Sequence, residues 1–169
     1  MSKQDLKKEL EGFDKKKLIG LISELYDKNK SVKEYLDYYL KPDESEILKV
    51  YKVKVREAFF PKRGINYNLG SGKKTIGDFR KLSPSPESLI DLMIYYVECG
   101  VEFTNNYGDI NESYYLSLAK VFRDSLELID INLLHKSFND KAHNIVDISE
   151  NIGWGFYDAV LNLYLETFG

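Results

Sequence analysis

Cysteine is nearly missing from the chain: Cys99 is alone among 169 residues, so no intrachain disulfide can form and cysteine-based zinc sites are excluded. It falls inside an apolar helical pattern, where a small buried hydrophobe is expected rather than a reactive thiol, and this usage suits a reducing cytoplasm. Long apolar runs are missing too. The longest uncharged one, Leu92 to Val97, is far too short to span a bilayer, and the opening MSKQDLKKEL is charged rather than apolar. A soluble, unexported protein with no membrane partner follows as the expectation. No stretch alternates polar and apolar residues for long, so no strand is expected. Histidine is limited to His135 and His143, read as lying on different elements. His143 with Asp147 is spaced for a local hydrogen bond on one helix face rather than for a metal. Neither metal nor cofactor is expected.

What the chain has in quantity is helical periodicity with start and stop signals. The segment Ser85 to Phe103, SPESLIDLMIYYVECGVEF, is the element around which the rest is arranged. Ser85 is placed to cap it, Pro86 suits the first helical position, and Glu87 favours the positive end of the helix dipole. Leu89, Leu92, Met93, Tyr96, Val97, Gly100 and Phe103 make one apolar face, which Ile90, Ile94 and Val101 broaden, so the helix should be covered on more than one side. Upstream, Ser2 with Asp5, Asp14, Ser31 with Glu34, and Asp43 with Glu46 each mark a helix start, and Pro42 forbids continuation of the third helix. Val50 and Val53 lower the propensity of the fourth, which stops before Pro61. Residues 61–74, PKRGINYNLGSGKK, read as one long basic loop, with Thr75 and Asp78 reopening a short helix. Downstream, Asn111 caps a helix running to about Lys136. A last helical region begins near Asn139 or Asp140 and is interrupted or bent at Gly153-Trp154-Gly155. The sum is one all-α domain over 1–169 with about seven or eight helices in stacked hairpins or an irregular bundle.

Charge is modest overall, −3, but uneven. Lys54 to Lys81 holds eight cations against Glu57 and Asp78, a local +6 that leaves −9 elsewhere. Such a segment can bind an anion or lie on an acidic neighbour. Its glycines invite comparison with a phosphate-binding loop, but the glycine position upstream of Gly72-Lys73 is Tyr67, the residue after Lys73 is Lys74, and no strand precedes. What survives is a softer site at Lys62, Arg63, Lys73, Lys74, Arg80 and Lys81, helped by backbone N–H groups at a helix start near Thr75. On the central helix, Glu87, Asp91, Glu98 and Glu102 form an acidic stripe, either solvated or paired with the basic segment. Asp91 and Glu98 are its candidates for acid–base or metal work, which would need burial. Asp109, Asn111 and Glu112 start like a calcium loop, yet Tyr114 and Lys120 occupy its glycine and glutamate positions, so turn and capping chemistry explains them. Thirteen tyrosines and nine phenylalanines exceed what the core obviously needs. Tyr35, Tyr38, Tyr39, Tyr95, Tyr107, Tyr114 and Tyr115 are the pool from which exposed contact residues would come.

Asp78 to Tyr115, Asp5 to Leu40 and the AFFPKR of Ala58 to Arg63 together resemble an uncharacterised family of small bacterial all-helical proteins, a domain of unknown function. The resemblance extends over most of the chain and implies an all-α, HEAT-like helical stack. It brings no activity, cofactor or catalytic residue. Locally, Leu6 to Leu25 is similar to the DNA-binding SAP module.

Together these readings point to a cytoplasmic, non-catalytic helical module whose partner is a protein or peptide. The alternatives are nucleic acid or another anionic ligand bound through segment 54–81, and a metal-assisted hydrolase built on Asp91 and Glu98.

Overall fold

Local signals in the sequence set most of the helix starts. The computed structural model describes every residue except Pro42, so the stop expected there lies outside the described residues. Among them are nine helices and no strand: α1 (Lys3–Glu11), α2 (Lys15–Lys28), α3 (Lys30–Leu40), α4 (Glu44–Phe59), α5 (Leu69–Lys81), α6 (Pro86–Tyr107), α7 (Glu112–Asn132), α8 (His135–Ile148) and α9 (Phe156–Phe168). The count exceeds the expected seven or eight. No helix among the described residues is long and apolar enough to cross a membrane.

Residues 1–43 form one compact unit. α1 opens with the expected capping box: the Asp5 N–H donates to Ser2 Oγ at 3.2 Å and the Ser2 N–H to Asp5 Oδ2 at 2.8 Å. Asp14 caps α2 by accepting from the Lys17 N–H at 2.7 Å. The cap of α3 differs from the expectation. Asn29 Oδ1 accepts from the N–H groups of Ser31 and Val32, because a cap one residue before the helix reaches the free amides that Ser31, already helical, cannot. α2 and α3 pack on each other. None of the residues in α1–α3 is buried.

Residues 44–169 form the second unit, and among the described residues all the buried hydrophobic side chains lie in it, between Tyr51 and Val160. α6 runs through its centre. Ser85 accepts from the Ser88 N–H at 3.2 Å and Pro86 opens the helix as its φ requires. Twelve of the 22 residues in α6 are buried, which explains why apolar residues surround most of its circumference. It continues past Phe103 to Tyr107 and stops at Gly108, whose φ of 90° a side chain would resist. Consecutive helices pair, α4 with α5, α6 with α7 and α8 with α9, and alternate ones stack, α4 on α6, α6 on α8 and α7 on α9.

Three boundaries correct the sequence reading. The loop expected over 61–74 ends at Asn68, whose side chain accepts from the Ser71 N–H at 2.9 Å, and α5 begins at Leu69 despite Gly70 and Gly72. Packing outweighs their low propensity: a Cβ on Gly72 would stand 2.6 Å from the Tyr96 ring, so glycine lets α5 lie against α6. Thr75 is thus inside the helix, its hydroxyl donating to the Ser71 carbonyl at 3.0 Å. α7 ends at Asn132 rather than near Lys136, because Leu133 turns left-handed with φ 57°. α8 then starts at His135, which puts His135 and His143 on one helix. The break at Gly153-Trp154-Gly155 is where it was expected, with Trp154 and Gly155 both at positive φ.

Candidate functional site

The acidic stripe of α6 is an electrostatic seam with its neighbours. Glu102 takes both arms of the Arg56 guanidinium from α4, at 2.7 and 2.8 Å, and this pairing holds its carboxyl below the usual range. Asp91 is flanked by two ammonium groups, Lys52 of α4 at 2.5 Å and Lys141 of α8. Burial opposes the charge on Asp91, but the two lysines outweigh it and its pKa is lowered. For Glu98 burial wins and the pKa is raised, with Lys52, Lys141 and Asn144 offsetting part of it and Asp91 adding to it. Asp91 and Glu98 are therefore brought near the same lysines. Ammonium groups occupy the faces of Asp91 that a metal would need, and among the described residues no three His, Cys, Asp or Glu side chains gather to hold one. Glu87 is exposed at the start of α6.

The six basic candidates are dispersed. Lys62 pairs with Glu57 at 3.3 Å and Lys81 with Asp78 at 2.8 Å, while Arg63 is exposed on the turn before α5. Lys74 lines a polar cleft of about 330 Å³ between α4 and α5, where Glu57 and Asp78 balance it and Lys54. Lys73 and Arg80 look the other way, into a smaller cavity beside α7, and Lys73 Nζ donates to Ser117 Oγ at 3.0 Å. The helix start that was to add backbone N–H groups near Thr75 is displaced to Leu69.

The remaining candidates resolve locally. His135 Nε2 lies 2.7 Å from Asp130 and His143 Nδ1 3.0 Å from Asp147, the latter the expected i, i+4 contact. Asp109 Oδ1 accepts from the Tyr115 hydroxyl at 3.0 Å, and Asn111 caps α7 through the Tyr114 N–H at 3.0 Å. Of the tyrosine pool, Tyr114 and Tyr115 are buried, while Tyr35, Tyr39 and Tyr107 are exposed.

Tyr35 leads to the feature that residue-by-residue reading missed. The α2–α3 hairpin carries an open groove of about 470 Å³, its lining predominantly apolar: Ile22 and Leu25 of α2 face Val32, Tyr35 and Leu36 of α3, with Asn29 and Ser31 at the turn. Tyr39 stacks along α3 on Tyr35, centroids 6.1 Å apart, and is 68% exposed. The available signal was an α2 face wider than one neighbour covers, Leu18 to Tyr26, beside a short partner helix.

Compared with known proteins, residues 1–165 match the model of a family of unknown function, DUF6155. No curated protein and no solved structure matches the chain.

Proposed function

The chain belongs to this DUF6155 family, and on that premise, which carries no activity with it, we propose that the protein is a non-catalytic interaction module that takes an apolar segment of a protein partner into the α2–α3 groove. The observation that carries the reading is the groove itself: large aliphatic and tyrosine side chains, wet in the chain alone, with polar groups confined to one end. Such surfaces are rare on proteins that bind nothing, and tyrosine adds contact area at small entropic cost. An amphipathic helix presenting apolar residues at three- and four-residue steps has the matching chemistry. Two further parts of the proposal concern architecture and setting. The consecutive pairing and alternate stacking of α4–α9 support a HEAT-like arrangement. The buried, free Cys99 supports a reducing cytoplasm as the setting.

The test places a photo-crosslinking residue at Val32 in the cell of origin. One discrete adduct with another protein, abolished by Leu25→Asp and by Leu36→Asp while α-helical content is retained, is the expected result. Labelling that both substitutions leave unchanged, or adducts with this chain only, would overturn the reading.

A further inference from the structure

The hairpin stacking of residues 44–169 has one omission. α4 packs on α6, α6 on α8 and α7 on α9, but α5 and α7, which the same pattern would bring together, do not pack closely among the described residues. Between them lies a cavity of about 180 Å³ lined by Lys73, Ile76 and Arg80 of α5, Met93 of α6, and Val121 and Asp124 of α7.

Its polar groups are underused. Lys73 Nζ crosses the gap to donate to Ser117 Oγ at 3.0 Å, leaving two further N–H donors. Arg80 meets the Met93 sulfur at 4.0 Å, a weak partner for a guanidinium, and among the described residues neither cation forms an ion pair, although Asp124 lines the same cavity. The contrast with Lys62 and Lys81, both paired to carboxylates, is direct. Next to Ser117 is the Tyr96 hydroxyl, fully buried and without a hydrogen-bond partner. Burial pushes its pKa up to about 12, and Ser117 offsets part of that rise. Ser117 thus stands between the Lys73 ammonium and the Tyr96 hydroxyl.

A forked guanidinium and a point-like ammonium on one side of α5 are the donors that an oxyanion recruits, and ion-assisted bonds are the stronger kind. Ile76, Met93 and Val121 supply the apolar wall typical of small-ligand pockets, with few polar groups to fix orientation. We propose that the α5–α7 gap binds a small ligand carrying a phosphate or carboxylate on an apolar body, with Arg80 and Lys73, the latter oriented by Ser117, holding the oxyanion and Asp124 accepting from a ligand donor. The short, open gap suits a small molecule rather than a nucleic-acid strand, which would need a continuous basic track.

Calorimetric titrations with phenyl phosphate and with phenylacetate, at ionic strength held constant with sodium chloride, test this. Saturable binding of one or both is expected, and which probe binds distinguishes phosphate from carboxylate. Affinity should fall at least tenfold in Arg80→Gln and in Lys73→Gln, less in Ser117→Ala, and stay unchanged in Lys74→Gln, whose side chain lines the other cleft; circular dichroism confirms that each variant is folded. Absence of saturable binding with both probes overturns the proposal. So does an equal loss in Lys74→Gln, the mark of diffuse attraction such as a nucleic acid would feel. The site lies outside residues 1–43, so either outcome leaves the groove reading untouched.

Discussion

Residues 1–43 and 44–169 make their helices by different means. In the first unit the caps at Ser2, Asp14 and Asn29 do most of the visible work and no side chain in α1–α3 is buried. Its polar contacts are exposed ones, such as Lys28 with Glu24 at 2.6 Å and the Tyr26 hydroxyl donating to Asp37 at 2.8 Å, and exposed ion pairs contribute little. In the second unit, α6 is enclosed, Phe59, Phe79 and Phe122 are fully buried, and helices approach closely enough that Gly100 has no room for a side chain. A chain of about forty residues has too little interior to hide its apolar faces. The lesson is that the small unit leaves its apolar residues at least partly exposed, whereas the larger unit gathers a buried core and exposes only part of its own.

Core truncation should separate the units most strongly. Phe59→Ala removes a fully buried ring that packs edge-on to Tyr96, centroids 5.1 Å apart, and is expected to cost about 3–5 kcal/mol in urea unfolding. Leu25→Ala, at a residue 45% exposed, should cost less than about 1 kcal/mol; equal losses would erase the distinction.

Glycine gives the next contrast, with opposite signs. A Cβ on Gly100 would meet Leu118 at 2.5 Å, whereas nothing lies within 4 Å of one on Gly20 in α2. Gly100→Ala should therefore lower stability by about 1–3 kcal/mol, while Gly20→Ala should stabilise α2 by up to about 1 kcal/mol. Amide hydrogen exchange, read unit by unit, would show whether each effect stays in its own half.

Acid should loosen the second unit through its seam. Asp91 and Glu102 have folded pKa values below the unfolded ones, so their stabilisation is present at neutral pH and lost as pH falls below about 4. Asp91→Asn is expected to cost about 1–3 kcal/mol at pH 7 and to flatten the acid limb of the melting curve. An acid limb as steep as that of the unsubstituted protein would count against the seam.

Glu98 carries the opposite sign and the smallest effect. Its raised pKa means the folded state prefers it protonated, so its contribution is favourable in acid and is lost as pH rises through the folded pKa. Glu98→Gln should raise the melting temperature slightly at pH 7, with the gain fading on acidification; a gain that grew in acid would refute the assignment.

Helix identity was legible because its signals are local. Ser2, Asp14, Ser85 and Asn111 cap the helices the sequence assigns to them. The glycines of α5 signal a loop within any short window, and only Tyr96, 24 positions after Gly72, explains why they are helical. The acidic stripe was visible as a line on one helix, but its partners were not: Lys141 is fifty residues from Asp91, and nothing in either segment announces the other. Arg56 was inside the basic segment, yet its engagement with Glu102 follows from how α4 lies on α6. The α2–α3 groove has only the width of the α2 face, Leu18 to Tyr26, as its sequence signal, and that width does not say which part stays uncovered. Ser117, between Lys73 and Tyr96, had no sequence signal at all.

The hairpin order of α4–α9 bears on how the chain folds. Each helix packs closely only with its next or next-but-one neighbour, so the contacts that define the unit are short in sequence and loop-closure entropy is small. We expect α4–α6 to associate while later helices are still being synthesised, each new hairpin docking onto a finished surface. Stopped-flow refolding should accordingly be fast, in the millisecond range or below. A slow principal phase of seconds would mean that some step other than this neighbour-by-neighbour assembly sets the rate.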